Sequence, residues 1–285
     1  MFLLYINDLP DNLHSTVRLF ADDCILYTSS NSREDLDSLQ EDLQQLEDWQ
    51  NKWAMSFNPS KYSVMKVSNK QNPPDRNYTF CGQPLQEATP HPYLGVEIDN
   101  KLRWDTHYKK ITTKANKVLG FLRRNLWFCN KSIKTTAYTT LVRPNLEYAS
   151  SSWDPYHKGD IHLIESVQRK AARFCMNDYK QQSSVSQMLK DLEWDTLENR
   201  RRISRLQLLF KVMNGEVGID PNVYIRVNDK GGRMTRGNSR RIQRTLTKKD
   251  VHKYSFFHRT AEIHAWPLAM PRSKTPVNTT HEITC

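Results

Sequence analysis

An α+β protein, strands first and helices later, is what this 285-residue sequence predicts, on three observations. Short apolar runs broken by Asp, Gly or Pro crowd the first hundred residues, with one helical period between them. From about Thr106 onward, apolar residues return every three or four positions. Charge changes at the same place. Residues 1 to 100 hold seven Lys/Arg against fifteen Asp/Glu, and residues 101 to 285 hold thirty-five against sixteen, so a net of −8 gives way to +19 within an overall +11. An excess of that size, gathered in one part of the chain, favours a polyanionic partner.

The elements follow in order. In Val17-Arg18-Leu19-Phe20-Ala21-Asp22-Asp23-Cys24-Ile25-Leu26-Tyr27, two adjacent carboxylates divide an apolar stretch, which reads as two short buried strands with Ala21-Asp22-Asp23 at the bend. Buried carboxylates need a counter-charge, and Arg18 is the only cation nearby. A divalent cation would supply it, Asp oxygens being ligands that Mg²⁺ prefers. A solvated hairpin turn is the plain alternative. Residues 33 to 55 read as an amphipathic helix. Leu36, Leu39, Leu43, Leu46, Trp49 and Trp53 form its core stripe, Ser32 and Asp35 its cap, and Glu34, Asp37, Glu41, Asp42, Glu47 and Asp48 a solvated acidic face. Asn58-Pro59 breaks it, and residues 62 to 67 alternate as a strand with Lys61 at the junction. A hairpin is expected around Gly82, and a strand over Tyr93-Leu94-Gly95-Val96-Glu97-Ile98 with Asp99-Asn100 as a turn.

The helical part begins with Ile111, Ala115, Val118, Leu119 and Leu122 on one face and Lys109, Lys110, Lys114, Lys117, Arg123 and Arg124 around it. Further helices are expected over Ser132–Tyr148, interrupted by Pro144, over Asp160–Met176, and over Thr196–Asn214, stopped by Gly215. The last sets Leu197, Ile203, Leu206, Leu209, Phe210 and Met213 against Arg200, Arg201, Arg202 and Arg205; whether Arg200 to Arg202 meet RNA or water is open. Residues 226 to 259 form a basic tract with Arg240, Arg241 and Arg244, suited to a nucleic-acid backbone. Tyr254, Phe256, Phe257 and Trp266 are expected to dock the end of the chain. The five cysteines lie apart with no C-x-x-C pair, which argues against a disulfide framework or a zinc site. No signal h-region and no bilayer-length apolar run is present.

The string LFADDCILY closely resembles the catalytic hairpin of reverse transcriptases, and its Phe20-Ala21-Asp22-Asp23 form is similar to the non-LTR (LINE-type, jockey-like) retrotransposon enzymes. The resemblance continues in family order through MFLLYINDLPDNL, WAMSFNPSKYSVMKVS, HPYLGVEIDNKLRWDTHY, LEWDTLENRRRISRLQLLFKVMNG and YSFFHRTAEIHAWPLAMP. Tyr62, Ala54, His258 and the run from Ala261 to Trp266 depart from the usual pattern.

The resemblance implies a partial polymerase palm over 1–104 (an antiparallel sheet with packed helices), a helical thumb over 105–215 and a basic region over 216–285. It implies RNA-directed DNA polymerase activity, with Mg²⁺ (or Mn²⁺) held by Asp22 and Asp23. Lys61 becomes a candidate to neutralise or protonate departing pyrophosphate, a solvated lysine being the plain alternative. Tyr93, Leu94, Gly95 and Val96 become the grip on the primer end, and the basic helix a track for phosphates. RNA template, DNA primer, their hybrid and a deoxynucleoside triphosphate are the implied partners, and nucleus or cytoplasm the implied compartment. The first catalytic Asp and the nucleotide-contacting loop would lie upstream, so the chain is expected to be the C-terminal part of a longer enzyme, inactive alone. A non-catalytic RNA- or DNA-binding remnant is the alternative.

Overall fold

The computed structural model describes residues 2–30, 32–58, 61–68, 75–226 and 249–264. The chain divides into two compact units, Met1–His107 and Tyr108–Cys285. The architecture is α+β, and among the described residues all the strands lie in the first unit.

The first unit runs α1 (Phe2–Tyr5), β1 (Thr16–Phe20), β2 (Asp23–Tyr27), α2 (Arg33–Trp53), then six short strands: β3 (Ser63–Val64), β4 (Thr79–Phe80), β5 (Gln83–Pro84), β6 (Gln86–Glu87), β7 (His91–Tyr93) and β8 (Val96–Ile98). Among the described residues the strands form four separate two-stranded ladders: β1–β2, β4–β5 and β7–β8 antiparallel, and β3–β6 parallel. The antiparallel sheet expected from the resemblance is therefore represented by hairpins, plus one parallel pair. The strand expected over residues 62–67 is only two residues long.

Isolated two-stranded ladders are marginal by themselves, and α2 supplies what they lack. Its start is fixed by a capping box: the Ser32 hydroxyl accepts from Asp35 N–H and the Asp35 carboxylate accepts from Ser32 N–H. Ala54, in the left-handed region at φ 52°, ends it. Leu46 joins Leu9, Val17 and Phe80 in the core, with Leu43, Trp49, Phe57 and Tyr62 packed around them. Trp53, expected in the core, is exposed at the end of the stripe, edge-on to Tyr5.

The polar face of α2 corrects the sequence reading more sharply. Asp42, assigned to a solvated acidic face, is fully buried. Its two oxygens accept the backbone N–H groups of His14 (2.8 Å) and Ser15 (2.7 Å), immediately before β1. Gln40 pairs with both backbone groups of Thr79, the Glu47 carboxylate accepts Cys81 N–H, Gln50 accepts Phe57 N–H, and Trp49 donates to Asp8. A side-chain carboxylate or amide here does the work that a neighbouring strand does in a sheet: it satisfies backbone groups that would otherwise lose their partners.

α3 (Asp105–Asn125) opens at the end of the first unit, where the imidazole of buried His107 accepts Glu97 N–H through Nδ1 at 3.2 Å. The second unit continues with α4 (Lys131–Ala137), a π-helical turn (Tyr138–Val142), α5 (Arg143–Glu147), α6 (Ser150–Trp153), α7 (Lys158–Met176), α8 (Val185–Asp191), α9 (Leu197–Met213), α10 (Pro221–Tyr224), α11 (Asp250–Lys253) and α12 (Phe256–His264). The interruption expected at Pro144 is a widening of the helix. Pro144 has no N–H to give, and Arg143 N–H reaches back to Tyr138 C=O, five residues earlier. Tyr138 is fully buried at this turn, stacked on Trp194 (4.4 Å) and donating to Gln168 (3.0 Å).

The expected stripe on α9 is corrected too. Ile203 and Phe210 are exposed, whereas Arg201 and Arg205 are buried. The reason is Asp154, whose side chain is 5% exposed and takes ion pairs from Arg201 (2.7 Å), Arg205 (3.0 Å) and Arg259 (3.1 Å). Arg200 pairs with Glu147. Leu197, Leu206, Leu209 and Val212 still face the core, with Ile164, Val167, Phe174 and Trp153. Of the aromatics expected to dock the chain end, Tyr254 stacks on Tyr156 (3.9 Å, 5°) and Phe257 on Tyr224 (4.5 Å, 5°); Trp266 lies outside the described residues.

Candidate active site and nucleic-acid interface

The β1–β2 hairpin is closed by two residues, Ala21 and Asp22, with Phe20 paired to Asp23. A loop this short needs a positive φ, and Ala21 supplies it at 52°. Strand alternation then sorts the side chains. Val17, Leu19 and Leu26 turn toward the core, while Arg18, Phe20, Asp23 and Tyr27 share the opposite face. The strands are thus not buried as expected: Val17 alone is fully covered, because a two-stranded ribbon presents one face to a core and the other to solvent.

Asp22 stands in the turn and Asp23 at the first position of β2, both exposed. Among the described residues neither carboxylate enters an ion pair; Arg18 instead donates to Val17 C=O at 3.2 Å. Two adjacent carboxylates with no protein cation, held at a fixed spacing by a tight turn, are hard oxygen donors open to a divalent ion. Two carboxylates are only a partial ligand set, and among the described residues no group of three or more His, Cys, Asp or Glu side chains could hold a metal.

The second hairpin reaches the same place. Leu94 and Gly95 have φ of 46° and 80° and turn β7 into β8, so Tyr93-Leu94-Gly95-Val96 is a hairpin tip and not the continuous strand expected. Two successive positive φ values match the twist of the flanking strands, and Gly95 supplies one at no steric cost. Tyr93 lies within electrostatic range of Asp23, Cys24 and Tyr27; burial first, then the Asp23 carboxylate, holds its phenol above the ordinary value. The structure therefore brings Tyr93 within electrostatic range of Asp23, from hairpins some seventy residues apart. Lys61 stands apart from them. It is exposed, its N–H bonded to Asn58 C=O at 3.1 Å, with no ion pair to either carboxylate among the described residues.

In the second unit, Lys109, Lys110, Lys114, Lys117, Arg123 and Arg124 are all exposed along α3, whose other face buries Ile111, Ala115, Leu119 and Leu122. Arg123 lies over the Tyr179 ring at 5.4 Å. Arg240, Arg241 and Arg244 lie outside the described residues. Asp42 is the residue sequence reasoning missed: nothing in its spacing tells a solvated acidic residue from one reaching back to the N–H groups that lead into the hairpin.

The first unit thus presents an exposed carboxylate pair on a tight hairpin. Residues 1–98 match the family model for reverse transcriptase (RNA-dependent DNA polymerase). The chain is similar to a probable RNA-directed DNA polymerase from transposon X-element of Drosophila melanogaster, 26% identical over 185 residues, covering 61% of this chain and 20% of that protein. It is also similar to the RNA-directed DNA polymerase from mobile element jockey of Drosophila funebris, 28% identical over 190 residues (61% and 20%), and to that of transposon BS of Drosophila melanogaster, 24% over 220 residues (70% and 23%). Residues 1–98 are thus similar to reverse transcriptases, and the relatives matched are RNA-directed DNA polymerases of Drosophila transposons by name. The chain spans about a fifth of the length of these relatives. No solved structure matches it. No helix among the described residues is long and apolar enough to cross a membrane.

Proposed function

We propose that this chain carries part of the active site and the product-holding surface of an RNA-directed DNA polymerase of a non-LTR transposon. The observation that carries the reading is the pair Asp22 and Asp23, solvent-facing and in no ion pair among the described residues, on a hairpin in a segment that matches the reverse transcriptase model. Residues 1–104, with α2 behind the hairpins, are the palm; 105–215 is the thumb; 216–285 is a basic extension.

Asp22 and Asp23 would hold Mg²⁺ (or Mn²⁺). When bound, the ions supply activation of a primer 3′-hydroxyl and neutralisation of the triphosphate. The chain's own residues position. Asp42 fixes the backbone entering β1 and so the height of the carboxylates. Tyr93, Leu94, Gly95 and Val96 present a hairpin tip, narrow at Gly95, to the primer end. The exposed cations of α3 pair with phosphates of an RNA template, a DNA primer and their hybrid. Lys61 would serve the leaving pyrophosphate only if substrate binding brings the two together. A further carboxylate from the wider enzyme completes the ligand set.

The test is primer extension on an RNA template by the X-element relative with residues 1–104 of this chain in place of its own matching segment. Asp22→Ala is expected to lower synthesis by about a thousandfold or more, because charge stabilisation dominates this chemistry. Full synthesis by the variant would refute the proposal. On the chain itself, Mn²⁺ binding followed by electron paramagnetic resonance should weaken in the same variant. The alternative, a non-catalytic RNA- or DNA-binding remnant, is favoured by the exposed basic face of α3; it predicts salt-sensitive binding that Asp22→Ala leaves unchanged, and no metal dependence.

A further inference from the structure

The second unit holds a cavity of about 950 Å³ at the C-terminal end of the basic face of α3, from which Arg123 and Arg124 contribute to its lining. It opens where the C-terminal ends of α3 and α7 meet the start of α4. Arg124, Lys131 and Lys134 line it together with Trp127, Phe128 and Tyr179, and among the described residues no carboxylate does.

Three properties distinguish this cavity from an ordinary surface dent. The first is buried charge. Lys134 is 3% exposed, its Nζ lies 5.1 Å from the Phe174 ring centroid, and it enters no ion pair among the described residues. A buried ammonium facing an aromatic ring lacks the anion that such a charge ordinarily has. The second is exposed aromatic surface. Trp127 is 69% exposed and Phe128 70%, set edge to face at 5.8 Å, and Tyr179 is 51% exposed beneath the Arg123 guanidinium. Adjacent aromatics left this open mark a contact surface. The third is the combination of the two. Cations alone fit any polyanion and aromatics alone fit any apolar partner, but flat rings beside unpaired cations fit a planar base attached to a phosphate.

We propose that this cavity binds an unpaired nucleotide of single-stranded nucleic acid. The base stacks on Trp127 or Phe128, and the adjoining phosphate is taken by Arg124 and Lys134. Bases in a duplex cannot enter, because their faces are already covered by their neighbours in the stack. The site therefore distinguishes single strands from duplex, which the exposed face of α3 does not.

The experiment is fluorescence anisotropy on the full chain, with a fluorescein-labelled oligouridylate of about twelve nucleotides and, separately, a labelled duplex of the same length. Trp127→Ala and Phe128→Ala alter exposed side chains, so circular dichroism should show them folded. Each is expected to weaken single-strand binding about tenfold, with the salt dependence unchanged and the duplex affinity intact. Lys134→Met should instead lower the slope of log affinity against log salt by about one. Unchanged single-strand affinity in both aromatic variants would overturn the proposal. So would equal losses on single strand and duplex. Displacement of the oligonucleotide by polyglutamate at equal charge would also overturn it, assigning the cavity to an acidic protein partner.

Discussion

Asp42 shows how much one side chain fixes. Its two oxygens take the N–H groups of His14 and Ser15, and charge-assisted bonds of this kind are the stronger class. Asp42→Ala would leave both N–H groups without that acceptor in a buried place and is expected to cost about 2–4 kcal/mol in urea unfolding. Ala21 makes the opposite prediction. Alanine at φ 52° is strained, so Ala21→Gly should leave the fold intact and raise stability by up to about 1 kcal/mol, the backbone entropy of glycine offsetting part of the relief. Glu165 gives a pH dependence. Burial holds its carboxyl above the ordinary value, against the N–H bond it accepts from Glu198. The folded state therefore takes up the proton first on acidification. Its contribution favours folding below the ordinary carboxyl range and is lost as pH rises through the folded value, so Glu165→Gln should flatten that slope in unfolding midpoints. The Asp22-Asp23 turn was legible in the sequence because two polar residues interrupt an apolar run. Asp42 was not, because its acceptor role depends on a backbone segment far away in the chain.

Elements were legible where local chemistry decides them. The capping box of Ser32 and Asp35 and the helical period of α3 both appear where the residues put them. Faces were less so. On α9 the sequence sets Arg200, Arg201, Arg202 and Arg205 opposite the apolar stripe, yet Arg201 and Arg205 turn inward because Asp154, outside that helix, receives them. A guanidinium is buried only with such a partner, and the partner lies outside any helical period. Asp154→Ala would leave those guanidiniums without the carboxylate and is expected to cost about 3–5 kcal/mol by chemical denaturation. The hairpin at Leu94-Gly95 read as continuous strand because apolar residues flank it on both sides, and a single Gly marks the break only weakly.

For the whole molecule, charge was the most legible property. The +19 excess beyond residue 100 should give nucleic-acid affinity that falls steeply with salt, measurable as a linear log–log slope. Two cores in two compact units also predict that Asp42→Ala and Asp154→Ala add in free energy, within a few tenths of a kcal/mol, when combined. What the sequence did not disclose is the division of labour around α2. Its side chains bind backbone amides of His14, Ser15, Phe57, Thr79 and Cys81. Those amides should therefore exchange deuterium at the pace at which the helix opens, as one cooperative group, however brief the ladders beside them. Loosening α2 from Gln40 to Gln50 would release all five amides at once, the carboxylate hairpin's anchorage among them.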